Sequence, residues 1–216
     1  MNTLLAASAA AGPLAAGWSV HTLLLRRRID RARRDPLTGL PGRGMFEAAA
    51  RRAVRKPGGA VVLVDLDRFK ALNDTHGHAA GDAVLAAAAE RLSAFASMLD
   101  GCAGRFGGDE FAAVVFPQRP EALSFNLAGL HECLCEPVPF RETQLRVGAS
   151  IGAFIADALP GPDLSRALRL ADEAMYDAKK FGGGWRITRS PIPSMTTTNG
   201  RRTGRPGTRG VPGWSR

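Results

Sequence analysis

Cysteine is scarce in this chain: Cys102, Cys133 and Cys135 are the only three, and no pair has Cys-x-x-Cys spacing. That excludes a disulfide framework, gives no cysteine-based zinc site and fits a reducing compartment. Acid is absent from residues 186–216, which hold seven arginines, and nearly absent from 26–34, which hold six arginines and one aspartate. The net charge of +9 therefore resides in the two ends, and the mildly acidic middle offers no basic face for nucleic acid. No specific nucleic-acid partner is expected; the basic ends suit nonspecific contact with anionic lipid or nucleic acid. Large apolar residues are nearly missing after Thr188, where Pro, Gly, Thr, Ser and Arg dominate, so 190–216 cannot bury a core and reads as a disordered basic tail.

Charge is missing again over residues 4–25, a run of 22. At about 1.5 Å per residue this is long enough to cross a hydrocarbon core roughly 30 Å thick. No Lys or Arg precedes the run and six arginines follow it. The expectation is a transmembrane anchor at 1–25, single-pass in the cell membrane, with the rest of the chain cytoplasmic. The run leans on alanine and carries Pro13, Ser19, His21 and Thr22, which lower its hydrophobicity; a signal peptide or a surface-lying helix is the alternative. Residues 26–34 read as a short basic helical stalk, broken before Asp35-Pro36, with no room for a sensor domain.

Between the ends, a hydrophobic content of 45% suffices for one core. Periodicity predicts helices over 44–56, 82–96, 120–135 and 164–181, and strands over 60–66 and 145–154. The expected fold class is α/β, with helices around one sheet. Val84, Leu85, Ala88, Leu92 and Phe95 recur at helical spacing and belong to the core.

Two segments carry chemistry. Arg105-Phe106-Gly107-Gly108-Asp109-Glu110-Phe111 places a glycine pair before two acids between apolar flanks, the pattern of a tight hairpin with carboxylates at its tip; 102–106 would pair with 110–116. Val61-Val62-Leu63-Val64-Asp65-Leu66-Asp67 is an apolar strand ending in acids. Asp65 and Asp67 share a strand face unless Asp67 begins the turn. Together the hairpin and the strand end can cage a divalent cation.

These segments resemble the GGDEF family of diguanylate cyclases. The resemblance runs from Asp35-Pro36-Leu37-Thr38-Gly39-Leu40 to Ala171-Asp172-Glu173-Ala174-Met175-Tyr176-Asp177-Ala178-Lys179, through Asn73-Asp74-Thr75-His76-Gly77-His78, Gly81-Asp82 and Ala149-Ser150-Ile151-Gly152. It implies a GGDEF domain over 35–189, with a mostly antiparallel central sheet like that of nucleotidyl cyclase and polymerase palms. It also implies condensation of two GTP into cyclic di-GMP with release of two pyrophosphates, at a homodimer interface, with magnesium or manganese.

The roles implied by the resemblance are as follows. Asp65, the Leu66 carbonyl and Asp109 hold metal, and Asp109 and Glu110 are catalytic, with base and ligand not separable. Phe69, Lys70 and Lys179 grip phosphates, Asn73 and Asp82 read guanine, His78 lines the nucleotide pocket, and Gly107 and Gly108 let the backbone approach the nucleotide. Asp82 is also suited to N-cap the helix that follows. Two departures stand out. Gly183 replaces the usual arginine, a loss for which Lys180 or Arg186 is the expected substitute. The segment 97–104 keeps Asp100 but has no arginine, so no inhibitory product site is expected. The rival reading is a catalytically inactive module that binds GTP or a protein partner; nucleotidyl transfer with another base is a third.

Overall fold

The computed structural model describes residues 33–190 together with Trp18, His21 and Thr22. In chain order the elements are α1 (Arg43–Ala53), β1 (Ala60–Asp67), α2 (Phe69–His76), α3 (His78–Met98), β2 (Cys102–Gly107), β3 (Glu110–Val115), α4 (Ala122–Cys135), β4 (Val138–Phe140), β5 (Thr143–Leu145), β6 (Gly148–Ile155), α5 (Leu164–Lys180) and β7 (Gly184–Thr188).

Seven consecutive residues of β1 are buried, as its unbroken apolar run requires of a strand covered on both faces. It is the centre of a five-stranded sheet in the order β2-β3-β1-β6-β7. β1 is antiparallel to β3 and β6, β2 is antiparallel to β3, and β7 alone runs parallel, beside β6. Alternate residues of β1 serve opposite faces. Val62, Val64 and Leu66 pack with Val84, Leu85 and Leu92 of α3 and Leu127 and Leu130 of α4. Val61 and Leu63 pack with Phe46 of α1 and with Leu170 and Met175 of α5. The mixed α/β class and the mostly antiparallel sheet agree with expectation.

Several local features depart from the sequence reading. No element is expected between the strand 60–66 and the helix at 82, yet residues 69–76 form the helix α2. Gly77, at φ +82, ends that helix and opens α3 at His78 rather than at 82. Asp82 therefore lies inside α3 and does not cap it. The strand expected over 145–154 is two elements: β5 turns back on β4 in a separate two-stranded sheet, and Arg146 and Val147 join it to β6. β7, reached through Gly182, Gly183 and Gly184, all at positive φ, was not expected as a strand.

No helix among the described residues is long and apolar enough to cross a membrane. This overturns the expected single-pass, cell-membrane localisation with a cytoplasmic domain. The run behind that expectation is weak in composition, being rich in alanine and interrupted by Pro13, Ser19, His21 and Thr22. The regions assigned to anchor, stalk and tail (1–25, 26–34 and 190–216) lie outside the described residues, except for Trp18, His21, Thr22, Arg33, Arg34 and Ser190.

Candidate active site

Asp65, near the end of β1, is only 4% exposed. Its neighbours across the sheet are Glu110 on β3 and Ser150 on β6. The next residue ties the strand end to the hairpin tip: the Leu66 amide donates to the Asp109 carbonyl at 3.3 Å. Gly107 and Gly108 make that tip at φ +136 and +55, directly after a bulge between Arg105 and Gly107. The structure thus brings together Asp65, Leu66, Gly107, Gly108, Asp109 and Glu110.

A bracket from the start of the domain holds the tip. The Arg105 guanidinium donates through Nε and Nη2 to the Gly108 carbonyl at 3.1 and 2.7 Å, and through Nη1 to Asp35 Oδ1 at 2.8 Å. Asp35 Oδ1 also accepts from the Thr38 amide and hydroxyl, at 2.8 and 2.6 Å. Burial alone would push the Asp35 carboxyl up, but the hydrogen bonds from Thr38 and Arg105 outweigh it and hold it below its ordinary value. Arg105 and Asp35 are positioning residues that the sequence reading did not single out. Both stand inside the motifs that carry the family resemblance, which was the available signal.

The charge balance is uneven. Lys179, at the end of α5, places Nζ 2.6 Å from Asp65 Oδ1. That helix starts at Asp163, whose side chain accepts from the Arg166 amide at 3.0 Å, a standard N-cap. Burial pushes the Asp109 carboxyl up, the Asp65 charge pushes it further, and Lys179 offsets this only in part. Two carboxylates share one ammonium in a partly buried place. Asp65, Asp109 and the Leu66 carbonyl could supply the hard oxygen donors that divalent cations of the magnesium type take. Among the described residues no group of three or more His, Cys, Asp or Glu side chains is placed to hold a metal. Few protein ligands, with water and phosphate oxygens completing the shell, is the manner of magnesium.

The remaining residues sort by place. Asp67 Oδ1 accepts from the Ser150 hydroxyl at 2.7 Å, so it ties β1 to β6. Phe69 and Lys70 open α2, with Lys70 exposed; His78 and Asp82 are exposed on the first turns of α3. Asn73 lies against Gly81, and its Oδ1 is buried without a hydrogen-bond partner. A Cβ on Gly81 would overlap that amide and come within 3.0 Å of the Phe69 ring. Because alanine is a better helix former than glycine and Asn73 is a short movable side chain, Gly81→Ala is expected to keep the melting temperature while weakening nucleotide binding about tenfold. Calorimetric titration with GTP beside a melting curve checks this; unchanged affinity refutes a binding role for Asn73. Lys180 and Arg186 are the expected substitutes for the arginine missing at 183. Lys180 sits over the Tyr176 ring and Arg186 over the Phe181 ring, at 4.5 and 5.3 Å from the centroids.

This sheet, with acids at the end of its central strand and on the adjoining glycine hairpin, defines the class. The family model described as "Diguanylate cyclase, GGDEF domain" matches residues 32–184, and the chain belongs to that family. It is 48% identical over 164 residues to an uncharacterized 19.3 kDa protein in the repSA 5′ region of Streptomyces ambofaciens, covering 76% of this chain and 87% of that one. Over 164 residues it is 36% identical to the bifunctional diguanylate cyclase/cyclic di-GMP phosphodiesterase MucR of Pseudomonas aeruginosa, covering 73% of this chain and 23% of MucR. The relatives named as cyclases are longer proteins, of which the chain spans between 23% and 54%. Among solved structures, a sensory box/GGDEF family protein from Caulobacter crescentus matches at TM-score 0.62 and 37% identity, covering 69% of this chain and 99% of that one.

Proposed function

We propose that this chain is a diguanylate cyclase that condenses two GTP into cyclic di-GMP and releases two pyrophosphates, with magnesium, or manganese in its place. The observation that carries the reading is the pairing of buried Asp65 with the half-buried Asp109 of the adjoining hairpin tip. A divalent cation held by Asp65, Asp109 and the Leu66 carbonyl would neutralise charge on the phosphate oxygens and acidify the attacking hydroxyl.

The chain's own residues do the rest. Asp109 and Glu110 divide metal holding and acceptance of the 3′-hydroxyl proton between them. Gly107 and Gly108, without side chains, let the tip approach a nucleotide. The amides at Phe69 and Lys70, the first residues of α2, face phosphate, helped by the Lys70 ammonium. Lys179 is about half exposed, so its ammonium can pass from Asp65 to a phosphate oxygen. Asn73 and Asp82 read guanine, the carboxylate accepting from its N1–H and amino group, and His78 borders the base. Each domain holds one nucleotide, and the 3′-hydroxyl of each attacks the α-phosphate of the other. The reaction therefore takes two copies of the chain face to face.

Base selection tests the reading. The full-length chain with magnesium is expected to bind GTP on the order of 100-fold more tightly than ATP, because adenine leaves Asp82 without donors. Equal affinity would point instead to nucleotidyl transfer with another base.

A further inference from the structure

A cleft of about 780 Å³ opens between α2, residues 144–148 and the turn after α5. Lys179 lines it and also reaches Asp65 of the carboxylate site with its ammonium. Asp67 is the only acid in the lining, and it is engaged by Ser150 and packed against Gly148 and Gly183. The cationic lining is Arg68, Arg146 and Lys179. Lys179 already faces the Asp65 carboxylate, whereas among the described residues neither arginine has a carboxylate partner.

The backbone brings the two arginines to one spot. Arg68 follows Asp67 directly, at φ +56, a conformation that residues other than glycine rarely enter. Arg146 stands two residues before Gly148, and Gly148 is the register partner of Asp67 across β1 and β6. On the α5 side, position 183 offers no side chain. Gly183 has φ +104, and a Cβ there would lie 2.9 Å from Asp67 Oδ2. Lys180 and Arg186 lie on aromatic rings instead.

We propose that Arg68 and Arg146 form a cationic wall that holds the terminal phosphates of the nucleotide. The assignment rests on the cyclase reading and adds two binding residues to it. A guanidinium presents paired N–H donors that match phosphate oxygens, and two of them would add to the charge that Lys70, Lys179 and the cation bring to a triphosphate.

The test is calorimetric titration of the full-length chain with GTP, ATP and GMP, comparing wild type with Arg68→Ala, Arg146→Ala and the double variant. Each single change is expected to weaken GTP binding about tenfold and the double about 100-fold, with GMP affinity unchanged and Arg146→Lys retaining part of the loss. Inhibition by added pyrophosphate should weaken in step. The GMP arm reports both folding and the base pocket. If wild type prefers GTP over ATP but the double variant binds GTP as well as wild type does, or loses GMP and GTP equally, the arginine assignment falls and the cyclase reading stands. If wild type shows no preference for GTP, both fall.

Discussion

Asp109→Asn is expected to lower cyclic di-GMP formation on the order of 10³-fold while leaving the melting temperature unchanged or slightly raised. The two effects have separate physical origins. A metal-held charge in the transition state contributes several kcal/mol, and about 1.4 kcal/mol is worth a factor of ten in rate. In the folded protein, by contrast, the Asp109 carboxylate is a burden: burial and the Asp65 charge both disfavour it. Removing that charge relieves repulsion without breaking a structural bond, because the Leu66 amide is held by the Asp109 main-chain carbonyl. Asp65→Asn should be equally inactive. Its partner Lys179 is about half exposed and can return to solvent, so little stability should be lost. A group kept at a cost to the fold signals function. Product assays beside melting curves decide the matter, and an Asp109→Asn variant with more than a tenth of wild-type turnover would remove Asp109 from the centre of the reaction.

Gly152→Ala is expected to cause the largest loss of stability of any single methyl added to the sheet. Gly152 lies opposite Leu63 in the middle of β6, and a Cβ there would meet the Ala171 carbonyl oxygen and the Met175 amide and come within 2.7 Å of the Met175 Cα. These are backbone atoms of α5, so the strain cannot be relieved by turning a side chain. Overpacking of this kind costs roughly 3 kcal/mol or more. The helix would move off the sheet and carry Lys179 away from Asp65. Gly129→Ala is the control. Gly129 sits within α4 with open space where its Cβ would be, so the change should gain about 0.5–1 kcal/mol from helix propensity. Urea unfolding of the two variants should therefore shift its midpoint in opposite directions. A Gly152→Ala midpoint equal to that of wild type contradicts the close packing of α5 on β6.

Much of the site was legible because its signals are local. The apolar run of β1 and the glycine pair before Asp109 each announce an element and its chemistry within seven residues. What the sequence hid depends on distance or on competing signals. Arg105 reaches Asp35 across 70 residues, and no local pattern reports such a contact. The short α2 carried no clear periodic signal, because Asn73, Asp74 and Thr75 favour caps and turns over helix interiors. Gly77 serves as the end of one helix and the start of the next, which moved the α3 boundary past Asp82. Arg68 and Arg146 lie 78 residues apart, and only the fold brings them to the same cleft. The anchor expectation shows the opposite failure: length and the absence of charge suggested a span, but alanine and interspersed polar groups give such a run little hydrophobic drive.

The central claim is that two copies of this domain join two GTP molecules. The direct measurement is mass spectrometry of the nucleotides formed from GTP and magnesium by the full-length chain, alone and fused to a dimerising coiled coil, beside Asp109→Asn. Fusion guards against dilution by raising the effective concentration of the partner domain. Cyclic di-GMP that is made faster by the fused dimer and vanishes in the variant is the predicted result. A fused dimer that binds GTP but forms no cyclic di-GMP contradicts the account and makes the chain a nucleotide-binding module.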